Sequence, residues 1–292
     1  MSLDLQNQER TNNRVPLQDI PAMPAVAARV MQLLGDHDVK QKDLANTISA
    51  DASLTSKVLQ IANSPFYGFT RKITTVKDAV VLLGLAAIKS LAITAATRHI
   101  YKSPGLLETL LWEHSVGTGI AARLLSMRTR ACDPDEAFVS GLMHDVGKSV
   151  LNNFDRLRYL RFYQTAYNEN LVGPEYMALE REEFGFSHVS VGEKVAEKWN
   201  LSESMTGCII YHPLTDPECF TKAADPRLLA VVAQANLICH FLGIGVREPI
   251  DDVPLMENPA VAYLKASSDT IQKVIDEFEN VFQEQKELFS IL

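Results

Sequence analysis

Apolar residues recur at helical spacing along most of the chain, and that period restricts it to folds made by packing helices. From Asp51 onward, Leu54, Val58 and Ile61 fall at i, i+4 and i+7, the spacing that lines up one face of a helix. The run stops at Asn63-Ser64-Pro65, where proline cannot continue it. Thr75 and Asp78 make a capping-box pattern ahead of the apolar run 80–85. Segments 22–35, 42–49, 76–83 and 86–100 read as further helices. Beyond a break at Ser103-Pro104-Gly105, helices are expected over 106–127, 134–146, 155–168, 174–184, 188–199, 203–212 and 226–242. A last amphipathic helix starts near Ser268 and places Ile271, Val274, Ile275, Phe278, Val281 and Phe282 on one face. Periodicity leaves open whether this chain or a partner covers that face. No set of alternating strands is visible, and only 71–74 could be a short extended piece. The expected fold class is all-α.

The 292 residues suit one large domain or two small ones. The division expected is a disordered lead-in over 1–14, an N-terminal helical subdomain over 15–105, a second helical subdomain over 106–245, and a C-terminal extension over 246–292 that carries the amphipathic helix. A net charge of −8 argues against broad binding to nucleic acid, which takes a basic face. Two arginine clusters, Arg123/Arg128/Arg130 and Arg156/Arg158/Arg161, read as solvated helix faces. Cys132, Cys208, Cys219 and Cys239 form no CxxC pair and read as reduced, packed thiols. The polar N-terminus has no apolar leader core, and the apolar run 79–88 ends at Lys89, short of the ~20 residues that a membrane span needs. The expectation is a soluble cytoplasmic protein without membrane partners.

Histidine placement carries the chemistry. His114 lies on the stripe Leu107, Leu110, Gly117, Ala121, and His188 opens a helix whose inner face continues through Val191, Val195 and Trp199. His212 follows Met205, Cys208 and Ile209 on one face, just before Pro213. His144 comes near the end of a helix that begins with Asp133 as N-cap and Pro134 at its first position. A single inward histidine is usually a core residue with one hydrogen-bonded partner. Four on separate helices, one of them beside Asp145, form a ligand set of the kind that suits Zn, Fe, Mn or Ni. In this reading Gly147 is the C′ residue that ends the helix, so the His144-Asp145 doublet lies at the negative end of its dipole. Lys148 just beyond either meets a substrate phosphate or is a solvated helix-end lysine. His37, His99 and His240 belong to no such constellation and read as structural or surface residues, while Phe66 and Tyr67 read as packing where the two helical parts meet.

The run Gly141-Leu142-Met143-His144-Asp145-Val146-Gly147-Lys148 resembles the HD-superfamily signature. With His114, His188-x-x-x-Gly192 and Tyr211-His212, its order is similar to HD-GYP cyclic-dinucleotide phosphodiesterases. The first half, IPAMPAVAARVMQLL, ISADASLTSKVLQIANSPFYGF and ITTVKDAVVLLGLAAIKSL, resembles the HDOD version of that domain, and the likeness runs over about 15–245. It implies an HD-like helical bundle behind an N-terminal helical subdomain. It also implies a metal site from His114, His144, Asp145, His188 and His212 for one or two divalent ions, with Asp145 bridging and Lys148 toward phosphate.

The departures from the HD-GYP pattern bear on function. Pro213 stands where a second histidine follows, Asn236 where the late aspartate completes the site, and Leu110 where an acidic ligand precedes His114. The Gly-Tyr-Pro segment is missing. The resemblance therefore implies a regulatory or signalling module that senses a nucleotide-type ligand or a protein partner, with metal binding weakened or lost. The rival expectation is a working metal-dependent phosphohydrolase acting on a nucleotide or cyclic dinucleotide. A purely structural scaffold is the third.

Overall fold

The structure, a computed structural model, describes residues 20–34, 40–63, 69–100, 105–213, 216–245 and 248–291. The expected lead-in over 1–14, His37, Phe66 and Tyr67 lie outside them. Among the described residues all regular elements are helices. They are α1 (Ala25–Leu34), α2 (Gln41–Ser49), α3 (Ala52–Ala62), α4 (Val76–Thr97), α5 (Leu106–Thr129), α6 (Pro134–Met143), α7 (Val146–Phe154), α8 (Arg156–Asn168), α9 (Gly173–Phe184), α10 (His188–Trp199), α11 (Glu203–Tyr211), α12 (Glu218–Lys222), α13 (Pro226–Phe241), α14 (Pro259–Leu264) and α15 (Ser268–Ile291).

Helix starts follow from capping side chains. Asp51 accepts from the Leu54 amide at 2.9 Å and Thr75 from that of Asp78 at 3.0 Å. Asp133 takes the amides of Asp135 and Glu136 at 2.9 Å, with Pro134 at the first position, where its missing N–H costs nothing. Inside α4, Gly84 has φ +87°, a value that L side chains avoid. The chain bends there, which is why 76–83 and 86–100 read as two helices. The segment 71–74 forms no strand. Instead the Asn63 side chain brackets Ile73, donating to its carbonyl and accepting from its amide, both at 2.7 Å.

One expectation fails at the site itself. The helix predicted over 134–146 ends at Met143, and α7 begins at once at Val146. Gly147 lies inside α7 and is not a C′ residue. His144 is the C-cap of α6 and Asp145 the N-cap of α7, so the doublet sits at a corner between two helices.

Helix α4 packs on α1, α2, α3 and α6, while α5 packs on α6, α13 and α15. Helix α10 lies against α7 and α11. One contiguous apolar core runs from Ile20 to Phe282. The amphipathic face of α15 is covered by this chain, with Val274 and Phe278 fully buried. No single helix among the described residues is long and apolar enough to cross a membrane. Burial pushes the Cys132 thiol up to about 11 and that of Cys239 up to about 12, so both stay protonated and packed.

The arginine clusters are largely paired. Arg123 meets Asp135, Arg128 meets Glu277 at 2.5 Å, Arg158 meets Glu183 at 2.7 Å and Arg156 meets Glu108 at 2.6 Å. Glu108 is buried on α5 and also accepts from Asn152 of α7 at 3.1 Å. Burial works to raise its carboxyl, but the Arg156 and Asn152 hydrogen bonds outweigh that and hold it below 4.5. A depressed folded value means stability that is present above 4.5 and lost as pH falls below it. Glu108→Gln is expected to flatten the loss of stability between about pH 5 and about pH 3, read by thermal melts across that range.

Candidate metal centre

Five residues singled out in the sequence converge. Asp145 is at the centre and is 3% exposed. Its Oδ2 lies 3.5 Å from His114 Nε2 and 3.3 Å from His144 Nε2. Its Oδ1 lies 3.5 Å from His188 Nε2 and 3.2 Å from His212 Nε2. The cluster thus divides into two groups of three, His114–His144–Asp145 and Asp145–His188–His212, which share the aspartate. Ligands at 2.0–2.1 Å from a tetrahedral ion are about 3.3 Å apart, close to these separations.

The other ring nitrogens fix the tautomers. Nδ1 of His144 donates to the Gly141 carbonyl at 2.6 Å, and Nδ1 of His114 donates to that of Ile244 at 3.0 Å. Nδ1 of His212 faces the Cys208 carbonyl at 3.1 Å, and Nδ1 of His188 faces the Glu180 carboxylate at 2.5 Å. A carbonyl only accepts, so in the neutral ring Nε2 carries a lone pair directed at Asp145. Burial, ahead of its charged neighbours, pushes His114 down to about 4 and His212 down to about 3. Burial works to raise the Asp145 carboxyl, but the Lys148 ammonium beside it counters that, and the carboxyl is held well below 3.8.

An ionised carboxylate therefore faces converging lone pairs in a buried site. Among the described residues neither Asp145 oxygen has an aligned hydrogen-bond partner, nor have the Nε2 atoms of His144 and His188. Lys148 Nζ lies 2.7 Å from Asp145 Oδ2, an ion pair without an aligned hydrogen bond. Buried acceptors without donors cost free energy that a cation removes. The residues present fit a divalent transition ion in either group.

Lys148 lines the cavity, and its ammonium also lies over the Tyr176 ring at 4.6 Å. Of the departures, Asn236 touches the cluster, with Oδ1 2.9 Å from His114 Nε2. A half-turn of this amide would present its NH2 to that lone pair. Pro213 lines the cavity above the cluster.

The sequence reading missed two residues. Glu180 of α9 is fully buried and binds both the amide and the ring of His188, the amide at 2.7 Å. Its signal was a carboxylate at i+4 from Tyr176 and i−4 from Phe184, on an apolar face. His240, read as structural or surface, lies against His114 in a tilted ring pair with centroids 4.8 Å apart, and burial holds it well below 6.5. It comes one helical turn after Asn236. The side chain of His99 is not among those described. The cavity above the cluster holds about 310 Å³ and is walled by Tyr163, Tyr167, Tyr176, Asn168 and Asn170.

Glu180 orients His188 and makes it a more basic ligand. Glu180→Gln is expected to weaken metal binding about 10–100-fold, read by competition titration against a chelating dye.

The chain belongs to the HDOD domain family, whose model matches residues 20–214. Among solved structures, an HDOD domain protein of unknown function from Geobacter sulfurreducens is 26% identical with a TM-score of 0.77, covering 98% of this chain and 97% of its own. A candidate phosphohydrolase from Shewanella amazonensis shares the fold at 20% identity and TM-score 0.69, over 94% of this chain and 95% of its own. An uncharacterized protein of Treponema pallidum is 24% identical over 242 residues, which is 82% of this chain and 45% of that protein. The chain thus spans less than half the length of that relative.

Proposed function

We propose that this protein is a regulatory module that binds a divalent transition ion in an incomplete HD site and senses a nucleotide-type ligand or a signalling partner, without efficient turnover. The observation that carries the reading is the state of the His114 side of the cluster. A neutral amide, Asn236, holds His114 Nε2 at 2.9 Å, and the Lys148 ammonium is paired with Asp145 Oδ2. Both reduce the negative charge available to a second dication. HDOD family membership supports the reading, as does the cavity above the cluster.

A bound ion would supply Lewis acidity and a lowered pKa for its water. The chain's own groups do the rest. Glu180 sets the His188 ring, Asp145 presents one oxygen to each group of histidines, and Tyr163, Tyr167 and Tyr176 form an amphipathic wall for a ligand. Fe, Zn, Mn and Ni all suit this donor set.

A second reading, a working phosphohydrolase, is favoured by the two three-ligand groups that share Asp145. The candidate phosphohydrolase from Shewanella amazonensis is consistent with it. Elemental analysis of the purified protein, with an assay on a generic phosphodiester, tests the choice. Metal without turnover is the expected result. Turnover that is lost on chelation and restored by metal would replace the regulatory reading with the hydrolytic one.

A further inference from the structure

We infer that the cluster takes a single divalent ion, and takes it on the His188–His212 side of Asp145. This rests on the reading that the site holds metal at all.

Ligand spacing does not choose between the sides. Donor separations from Asp145 are 3.3 and 3.5 Å on one side and 3.2 and 3.5 Å on the other. Partners and charge do choose. On the His114 side, His114 Nε2 is engaged with Asn236, and Oδ2 of Asp145 carries the Lys148 ion pair at 2.7 Å. Among the described residues His144 Nε2 and Asp145 Oδ2 lack an aligned hydrogen bond there, but Oδ2 is already paired with the Lys148 ammonium. A dication on that side would sit beside an ammonium, in surroundings where charges are weakly screened.

On the other side, among the described residues, His188 Nε2 and Asp145 Oδ1 both lack a hydrogen-bond partner, and neither faces an ammonium. Behind His188 the Glu180 carboxylate is fully buried and 2.5 Å from Nδ1. It is the carboxylate–histidine pairing that raises ligand basicity and fixes ring orientation. It also brings a second carboxylate to this side. His188, His212 and Asp145 line the cavity, as His114 also does, so an ion on this side would keep positions open toward a ligand. Lys148 then acts as a built-in cation that balances Asp145 from the opposite face.

The test is metal stoichiometry and affinity, measured on the full chain after loading with Mn²⁺ or Zn²⁺ and desalting. The wild type should retain about one ion, His114→Ala should still retain it, and His212→Ala should lose it. Asn236→Asp restores a carboxylate next to His114 and should raise the content from about one ion to about two. If His212→Ala does not fold, the His114→Ala and Asn236→Asp results decide the matter. An ion lost in His114→Ala but kept in His212→Ala, or two ions in the wild type, overturns this assignment and leaves the metal reading standing. No retained ion in any sample overturns both.

Discussion

Gly147→Ala is expected to cost more than about 4 kcal/mol of folding free energy, the range reserved for severe single substitutions. A Cβ at this position would lie 1.9 Å from the His188 carbonyl oxygen and 2.8 Å from the Gly192 amide nitrogen. Both are backbone atoms of α10, so no rotamer change relieves the overlap. Helices α7 and α10 would have to separate, and they carry Asp145 and His188 at their adjoining ends. Metal binding should therefore fail together with stability. Gly192→Ala is the control, because the one atom its Cβ would overlap is the Ile209 Cγ2 methyl, at 2.6 Å. A methyl group can shift, and the expected cost is about 1–3 kcal/mol. Urea unfolding midpoints compare the three proteins. A Gly147→Ala midpoint equal to the wild type would show that the two helices do not approach this closely.

The same glycine shows where sequence reasoning stopped. Helical periodicity survives a corner between two helices when no proline marks it, so 134–146 read as one helix that Gly147 ended. The structure instead turns the chain at His144-Asp145, and Gly147 serves helix-to-helix contact. The inward histidines were legible because each lies on, or just past, an apolar stripe whose period the sequence shows. Glu180 and His240 were not, since neither belongs to a motif and each acts through another residue, His188 and His114 respectively. Period also could not say what covers α15, a question of tertiary contact. By contrast, Asn236 was placed from sequence at the late-aspartate position, and it does lie against His114.

Asp145→Asn is the substitution that separates a metal centre from a merely polar core. Asp145 supplies the one carboxylate common to both groups of histidines. Losing one partner of a buried charged contact costs about 3–5 kcal/mol, so metal affinity should fall by roughly 10²–10³ or more. The effect on the metal-free protein should have the opposite sign or vanish. In the wild type both Asp145 oxygens face imidazole nitrogens and neither has a hydrogen-bond partner. An asparagine amide would bring two N–H donors to those lone pairs, while Lys148 could withdraw into the adjoining cavity. Thermal melts with chelator should then place Asp145→Asn at or above the wild type. With metal a hundredfold over its Kd, the wild type should gain about 2.7 kcal/mol and the variant almost nothing. A structural core would behave in the reverse way, since removing a residue that held it together lowers the chelated midpoint and leaves no metal-dependent gain to lose. A chelated variant far less stable than the chelated wild type would therefore argue that Asp145 is there to hold the histidines, with the metal incidental to the fold.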